Sequence, residues 1–211
     1  QDTMLRVSDA SLFERPIVIT NTAYRFMVTE QLAEIGLEAD VLLEPMRRDS
    51  GPAIAAGAVF AQIRDKDAVV LALAADHVVG DTAAFAAACR QGLIAADAGR
   101  IVTFGIKPER AATEYGYISS GDIISGEVRS VAKFVEKPDP ATAAGYNKSG
   151  YLWTSGHFMF RAPVLPDEYL SANAPTVHAP TRPIPQARAG PRPGTPAAAW
   201  CHLARTVCRP A

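Results

Sequence analysis

From residue 16 to residue 160, short runs rich in Val, Ile and Leu alternate with longer, alanine-rich segments of helical period. That alternation constrains the chain to an α/β architecture, because strands that alternate with helices are the signature of crossover connections on a sheet. The expectation is a Rossmann-like fold with a mostly parallel sheet. A length of 211 residues allows one well-buried domain and some chain to spare.

The first strand is expected over 16–20. Asn21 or Thr22 can then cap a helix whose apolar positions Tyr24, Met27, Val28, Leu32 and Ile35 fall at three- and four-residue spacing and which Gly36 stops. A second strand, 41–43, leads into Glu44-Pro45, and Pro52 opens a helix to residue 63. The third strand, 68–75, is nearly all apolar, which predicts a central strand buried on both faces and ending at Asp76-His77. A helix at 83–98 and a strand at 101–105 continue the alternation. There the pattern breaks: a hairpin-like region at 115–119, a strand at 128–135, a short helix at 141–148 and a strand at 151–160 interrupted by Ser155-Gly156 predict a small antiparallel insertion that walls a pocket.

Residues 175–211 differ in kind. They hold eight of the sixteen prolines, five arginines and no acid. Such a stretch cannot bury enough apolar surface to pack, and it reads either as a basic proline-rich disordered tail or as out-of-frame sequence. The expected domain is therefore 1–174, with 16 basic and 22 acidic residues. That acidic balance argues against a nucleic-acid platform. No apolar run approaches the roughly 18 residues that a membrane span needs. Three cysteines, Cys89, Cys201 and Cys208, show neither CxxC spacing nor nearby histidines at metal-ligand spacing, which points to a reducing, cytoplasmic setting.

Chemistry concentrates in Phe134-Val135-Glu136-Lys137-Pro138-Asp139, an apolar strand stopped by an acid, a base and a proline. Ligands of open α/β sheets sit beyond the carboxyl ends of strands, so Glu136 and Lys137 can face a polyhydroxylated ligand; a solvated turn is the alternative. Three further stretches accompany it: Glu44-Pro-Met-Arg-Arg-Asp-Ser-Gly-Pro-Ala-Ile-Ala55, Leu73-Ala-Ala-Asp-His77 and Glu114-Tyr-Gly-Tyr-Ile118, with Trp153-Thr-Ser-Gly156 following the hexapeptide. In order and spacing these resemble the nucleotidyltransferases that make nucleotide sugars, most closely the bacterial mannose-1-phosphate guanylyltransferases. The resemblance runs from Gln1 to about Pro175.

The resemblance implies a Rossmann-like nucleotidyltransferase fold and transfer of a guanylyl group from GTP to mannose 1-phosphate, with Mg²⁺ as cofactor. It assigns the nucleotide loop to Arg48, Asp49, Ser50 and Gly51, where Asp49-Ser50-Gly51 replaces the family's Asn-Thr-Ala. A carboxylate at Asp49 can accept from the donors of guanine's Watson-Crick edge, or Asp49 and Ser50 can simply cap the helix that Pro52 opens; Arg48 can pair with phosphate or with a surface acid. Asp76 matches the metal-binding and catalytic aspartate, against the reading of a strand-end turn, and Lys137 is the second catalytic candidate. His77 is read as making a structural hydrogen bond. Gly116, Glu136, Lys137 and Thr154 fall at sugar-binding positions, Thr154 where the family has asparagine. Tyr115 and Tyr117 are read as packing. The family's Gly-rich phosphate loop would precede Gln1 and its second metal-binding aspartate would follow Pro175, so the activity is expected of the parent protein, with this chain an incomplete and inactive piece of it. A glycosyltransferase of similar architecture is disfavoured because Asp76-His77-Val78 lacks the second acid of a DxD motif. A non-catalytic nucleotide-sugar-binding remnant and a nucleotidyltransferase for another hexose 1-phosphate are the alternatives.

Overall fold

The computed structural model describes residues 1–46 and 50–165. The expected tail at 175–211, and Arg48 and Asp49 of the nucleotide loop, lie outside the described residues. Two compact units divide the described residues, 1–68 with 162–165, and Val69–Arg161.

In the first unit, β1 (Ile17–Asn21) and β2 (Asp40–Glu44) pair in parallel, Ile17 opposite Asp40, joined by α2 (Arg25–Glu34). Asn21 accepts from the Ala23 N–H and opens a 3₁₀ turn, Thr22–Tyr24, before α2 begins. Gly36 ends the helix at φ +63°, a left-handed conformation that favours glycine. The buried face of α2 is narrower than its spacing predicts. Leu32 is buried with Val41 and Leu43, and Val28 packs on them, whereas Tyr24 and Met27 are exposed. A short helix that the sequence did not announce, α1 (Asp2–Arg6), brings Met4 to the same cluster. The helix expected from Pro52 is α3 (Ser50–Arg64), which buries a row of small residues including Ala55, Ala58 and Ala61. Arg15 and Arg64 both pair with Asp40, at 3.1 and 3.2 Å.

The second unit is a five-stranded sheet: β3 (Val69–Ala72), β4 (Val102–Ile106), β5 (Tyr117–Ser125), β6 (Val128–Val135) and β7 (Leu152–Arg161). Its helices are α4 (Thr82–Asp97), capped by Asp81 at the Ala84 N–H, and α5 (Pro140–Lys148). The expectation of a mostly parallel sheet fails here. Every strand pairing in this unit is antiparallel. β3 and β4 do run in one direction, as a crossover through α4 requires, but β7 lies between them. Met159 pairs with both Leu71 and Val102, and Trp153 with both Ile106 and Tyr117. β4 therefore follows one edge of β7, while β3 and β5 divide the other. Alternation of strands and helices fixes strand direction, not strand order, and a later strand has entered the gap.

β3 is half-buried along its length, not buried on both faces, and among the described residues its strand partner is β7 alone. The interruption expected at Ser155-Gly156 is a bulge. Between its pairs with Phe158 and Thr154, β7 uses three residues where β4 uses only Phe104, and Gly156 takes φ +71° to absorb the excess. The core beneath includes Phe160 and Tyr117, both fully buried. The Tyr117 hydroxyl accepts from the N–H of Ala112, itself fully buried, at 3.0 Å. Tyr117→Phe would strand that donor, and a loss of about 1–2 kcal/mol in urea unfolding is expected with no change in the denaturant slope.

Candidate functional site

β3 leaves the edge of β7 after the Ala72–Phe158 pair, and β5 joins that edge only at Trp153. The stretch of β7 between these pairs, residues 154–157, is therefore bordered by the carboxyl end of β3 and by the residue that precedes β5, Gly116. This is a crevice at a strand's carboxyl end, where open sheets bind ligands.

Gly116 is the tightest point. A β-carbon there would stand 2.7 Å from both Glu136 Oε2 and Thr154 Cγ2, and 3.2 Å from Phe134 Cζ. Side chains from two strands thus close over one bare backbone position, and the Thr154 N–H donates to Gly116 O at 2.9 Å. Three of the four expected sugar-side residues are brought together in this way.

Glu136 and Lys137 follow directly from the end of β6, both exposed. Lys137 adopts φ +44°, in the left-handed region that side chains rarely occupy. The turn is held from the other side. Pro138 is buried, and Asp139 caps α5 by accepting from the N–H groups of Ala141 and Thr142 at 3.0 Å and from the Thr142 hydroxyl at 2.5 Å. The Thr142 hydroxyl and N–H keep the Asp139 carboxyl below its ordinary value of 3.8. A depressed carboxyl stabilises the fold fully above that ordinary value and loses its effect as pH falls through the lowered one. Asp139→Ala is accordingly expected to destabilise the protein at neutral pH and to flatten the acid limb of a stability-against-pH curve, read by thermal melts between pH 2 and 7.

Beyond β3, the Asp76 carboxylate is 89 % exposed. Its neighbour His77 places Nδ1 2.9 Å from His157 Nε2, one imidazole donating to the other, and His77 Nε2 lies 3.9 Å from Asp76 Oδ1. Phe85 meets the buried His157 ring edge-on. His77 thus makes the structural hydrogen bond expected of it. Thr103, on β4, places its hydroxyl 3.3 Å from Thr154 Oγ1 and 3.4 Å from His157 O. Thr103 and His157 escaped the sequence reading. A lone threonine in a β-branched strand looks like strand propensity, and nothing local connects a histidine to another eighty residues away.

Tyr115 stacks edge-on against Trp153, with the Arg110 guanidinium 5.7 and 5.9 Å from the two rings and paired with Glu114. Both Tyr115 and Tyr117 therefore serve packing. Ser50 and Gly51 form the first turn of α3 in the other unit.

Among the described residues no three His, Cys, Asp or Glu side chains gather as a metal cage. At the end of β3, Asp76 offers an accessible, hard carboxylate oxygen. That donor fits a Mg²⁺ ion, which binds through one or two carboxylates and completes its shell with water and substrate phosphates.

Gly116→Ala is expected to displace both Glu136 and Thr154. A cost of about 1–3 kcal/mol in chemical denaturation checks the closeness of that contact.

Residues 1–175 match the Nucleotidyl transferase family. The chain is 48% identical over 166 residues to the mannose-1-phosphate guanylyltransferase RfbM of Salmonella typhimurium, a match that covers 77% of this chain and 34% of that protein. It is 45% identical over 170 residues to the mannose-1-phosphate guanylyltransferase of Escherichia coli K12, covering 77% and 35%. The chain thus spans about a third of the length of these relatives. Among solved structures, one described as a mannose-1-phosphate geranyltransferase from Thermus thermophilus superposes with a TM-score of 0.71 at 33% identity, over 83% of this chain and 50% of that one. A Helicobacter pylori structure described as a mannose-6-phosphate isomerase gives 0.69 at 29% identity, over 83% and 66%. With its crevice at the end of β3 and this likeness over most of its length, the chain belongs to the nucleotidyl transferase family.

Proposed function

We propose that the chain is part of an enzyme that transfers the guanylyl group of GTP to mannose 1-phosphate, giving GDP-mannose and pyrophosphate. The observation that carries this reading is the convergence of Glu136 and Thr154 over Gly116, beside the carboxyl end of β3. Glycine at 116 lets these two side chains pack down on the backbone, and the exposed carboxylate of Glu136 accepts hydrogen bonds from the hydroxyls of a hexose beside them. Lys137, held by its turn next to that carboxylate, supplies a cation for the sugar phosphate. An oxygen of that phosphate attacks the α-phosphorus of GTP; the new P–O bond forms as the bond to the β-phosphate bridge breaks, and pyrophosphate leaves with the electron pair. No covalent enzyme intermediate is needed, so the protein's work is positioning and charge stabilisation. Asp76 would hold Mg²⁺, which when bound neutralises charge on the α-phosphate. Arg48 and Asp49, together with Ser50 and Gly51 in the first turn of α3, are the proposed nucleotide-binding residues, with Asp49 accepting from guanine. The reaction is proposed to be cytoplasmic; no described helix is long and apolar enough to cross a membrane.

Saturation-transfer NMR on the 211-residue chain tests the sugar side. Mannose 1-phosphate is expected to bind in preference to glucose 1-phosphate, and Glu136→Gln to weaken it at least tenfold, as loss of a hydrogen bond to a charged group does. Asp76→Asn should leave that binding intact and abolish its response to Mg²⁺. Absence of mannose 1-phosphate binding, or equal binding by the Glu136→Gln chain, overturns the reading; a preference for glucose 1-phosphate assigns the enzyme to another hexose.

A further inference from the structure

Thr103 lies outside every stretch that carries the family resemblance, yet its hydroxyl meets two atoms of the crevice. It stands 3.4 Å from His157 O and 3.3 Å from Thr154 Oγ1. A carbonyl oxygen only accepts, and a threonine hydroxyl has one proton. With the Thr103 proton on His157 O, the bond between the two hydroxyls is donated by Thr154. The Gly156 N–H in turn donates to Thr154 Oγ1 at 3.4 Å. These contacts are long for hydrogen bonds, but three of them converge on two oxygens and together they occupy the only proton Thr154 has to give.

The other branch of Thr154 packs over Gly116. Cγ2, not Oγ1, is the Thr154 atom that a β-carbon at Gly116 would meet at 2.7 Å. Both branches sit on one β-carbon, so fixing the hydroxyl fixes the methyl. We propose that Thr103 is a positioning residue for the hexose: by engaging Thr154 Oγ1 it holds the rotamer that seats the methyl group against Gly116 and leaves no hydrogen-bond donor on Thr154 for a ligand beside them. Polar recognition at this edge then falls to Glu136, which only accepts, so the pocket selects a ligand that brings free hydroxyl donors. This inference rests on the sugar-binding reading of the pocket.

Two measurements on the 211-residue chain separate the inference from that reading. Three-bond carbon couplings of the Thr154 methyl report its χ1 rotamer without any ligand. One rotamer is expected in the parent chain, averaging in Thr103→Val, and restoration in Thr103→Ser. Titration with mannose 1-phosphate should show Thr103→Val binding about three- to tenfold more weakly, the range for one lost hydrogen bond, and Thr103→Ser binding like the parent. Thr154→Val removes the same bond from the other side and should match Thr103→Val, with the double variant no weaker than either; it also stands in where Thr103→Val does not fold. A Thr154 rotamer that stays locked in Thr103→Val, or losses that multiply in the double variant, overturns the positioning role. If the rotamer responds as expected but the parent chain does not bind mannose 1-phosphate, the sugar reading falls and the hexose role with it.

Discussion

Within residues 69–161, β7 is the strand on which the sheet depends. β3, β4 and β5 all hydrogen-bond to it, and β6 reaches the sheet only through β5. A strand has two edges, so three partners fit only if two of them share one edge end to end. The interval between those two is where β7 has backbone and side chains left over for chemistry. The bulge falls at the same place: β7 uses three residues against the single Phe104 of β4, and Gly156 at φ +71° takes up the difference. Bunching the chain there brings Thr154 Oγ1 and His157 O within reach of one hydroxyl on β4. The defect in the ladder and the candidate site are one feature, as bulges beside functional sites commonly are.

The Gly116 side of the crevice is built on packed β-structure from three directions. Tyr117 pairs with both Val135 and Trp153, so Gly116, Glu136 and Thr154 are the next residues along three hydrogen-bonded strands. Their meeting follows from register alone. Absence of a β-carbon at Gly116 lets the flanking side chains close to distances that no alanine would tolerate. The turn beyond Glu136 is then fixed by a buried proline and by the Asp139 cap of α5, which together hold Lys137 in a conformation it would not adopt alone.

Much of this was legible in local sequence. The strand at 128–135 is observed with those bounds, because a β-branched run closed by Glu-Lys-Pro leaves little freedom in where it stops. The helices begin within a residue or two of their capping or proline signals, α3 at Ser50, α4 after Asp81 and α5 after Asp139. Gly116, Glu136 and Thr154 were each recognisable from a short motif, and Ser155-Gly156 marked the interruption. What sequence could not supply was strand order. Insertion of β7 between β3 and β4 is a nonlocal choice, and it turned an expected parallel sheet into an antiparallel one without changing the direction of either crossover strand. The Thr103 contact was hidden for the same reason. Its partners, Thr154 and His157, become neighbours only once β7 lies beside β4.

The two sides of the candidate site differ in how firmly they are held. Glu136 and Thr154 are placed by strand register, one beyond Val135 and one beyond Trp153, and close over Gly116 without any ligand. Asp76 is 89 % exposed, and its ion pair with His77 spans 3.9 Å. Its position is steadied at one remove, through the His77–His157 hydrogen bond to the bulge. A single exposed carboxylate could hold the proposed Mg²⁺ only with phosphate oxygens completing the shell, so such a metal would depend on bound phosphates more than on this side chain.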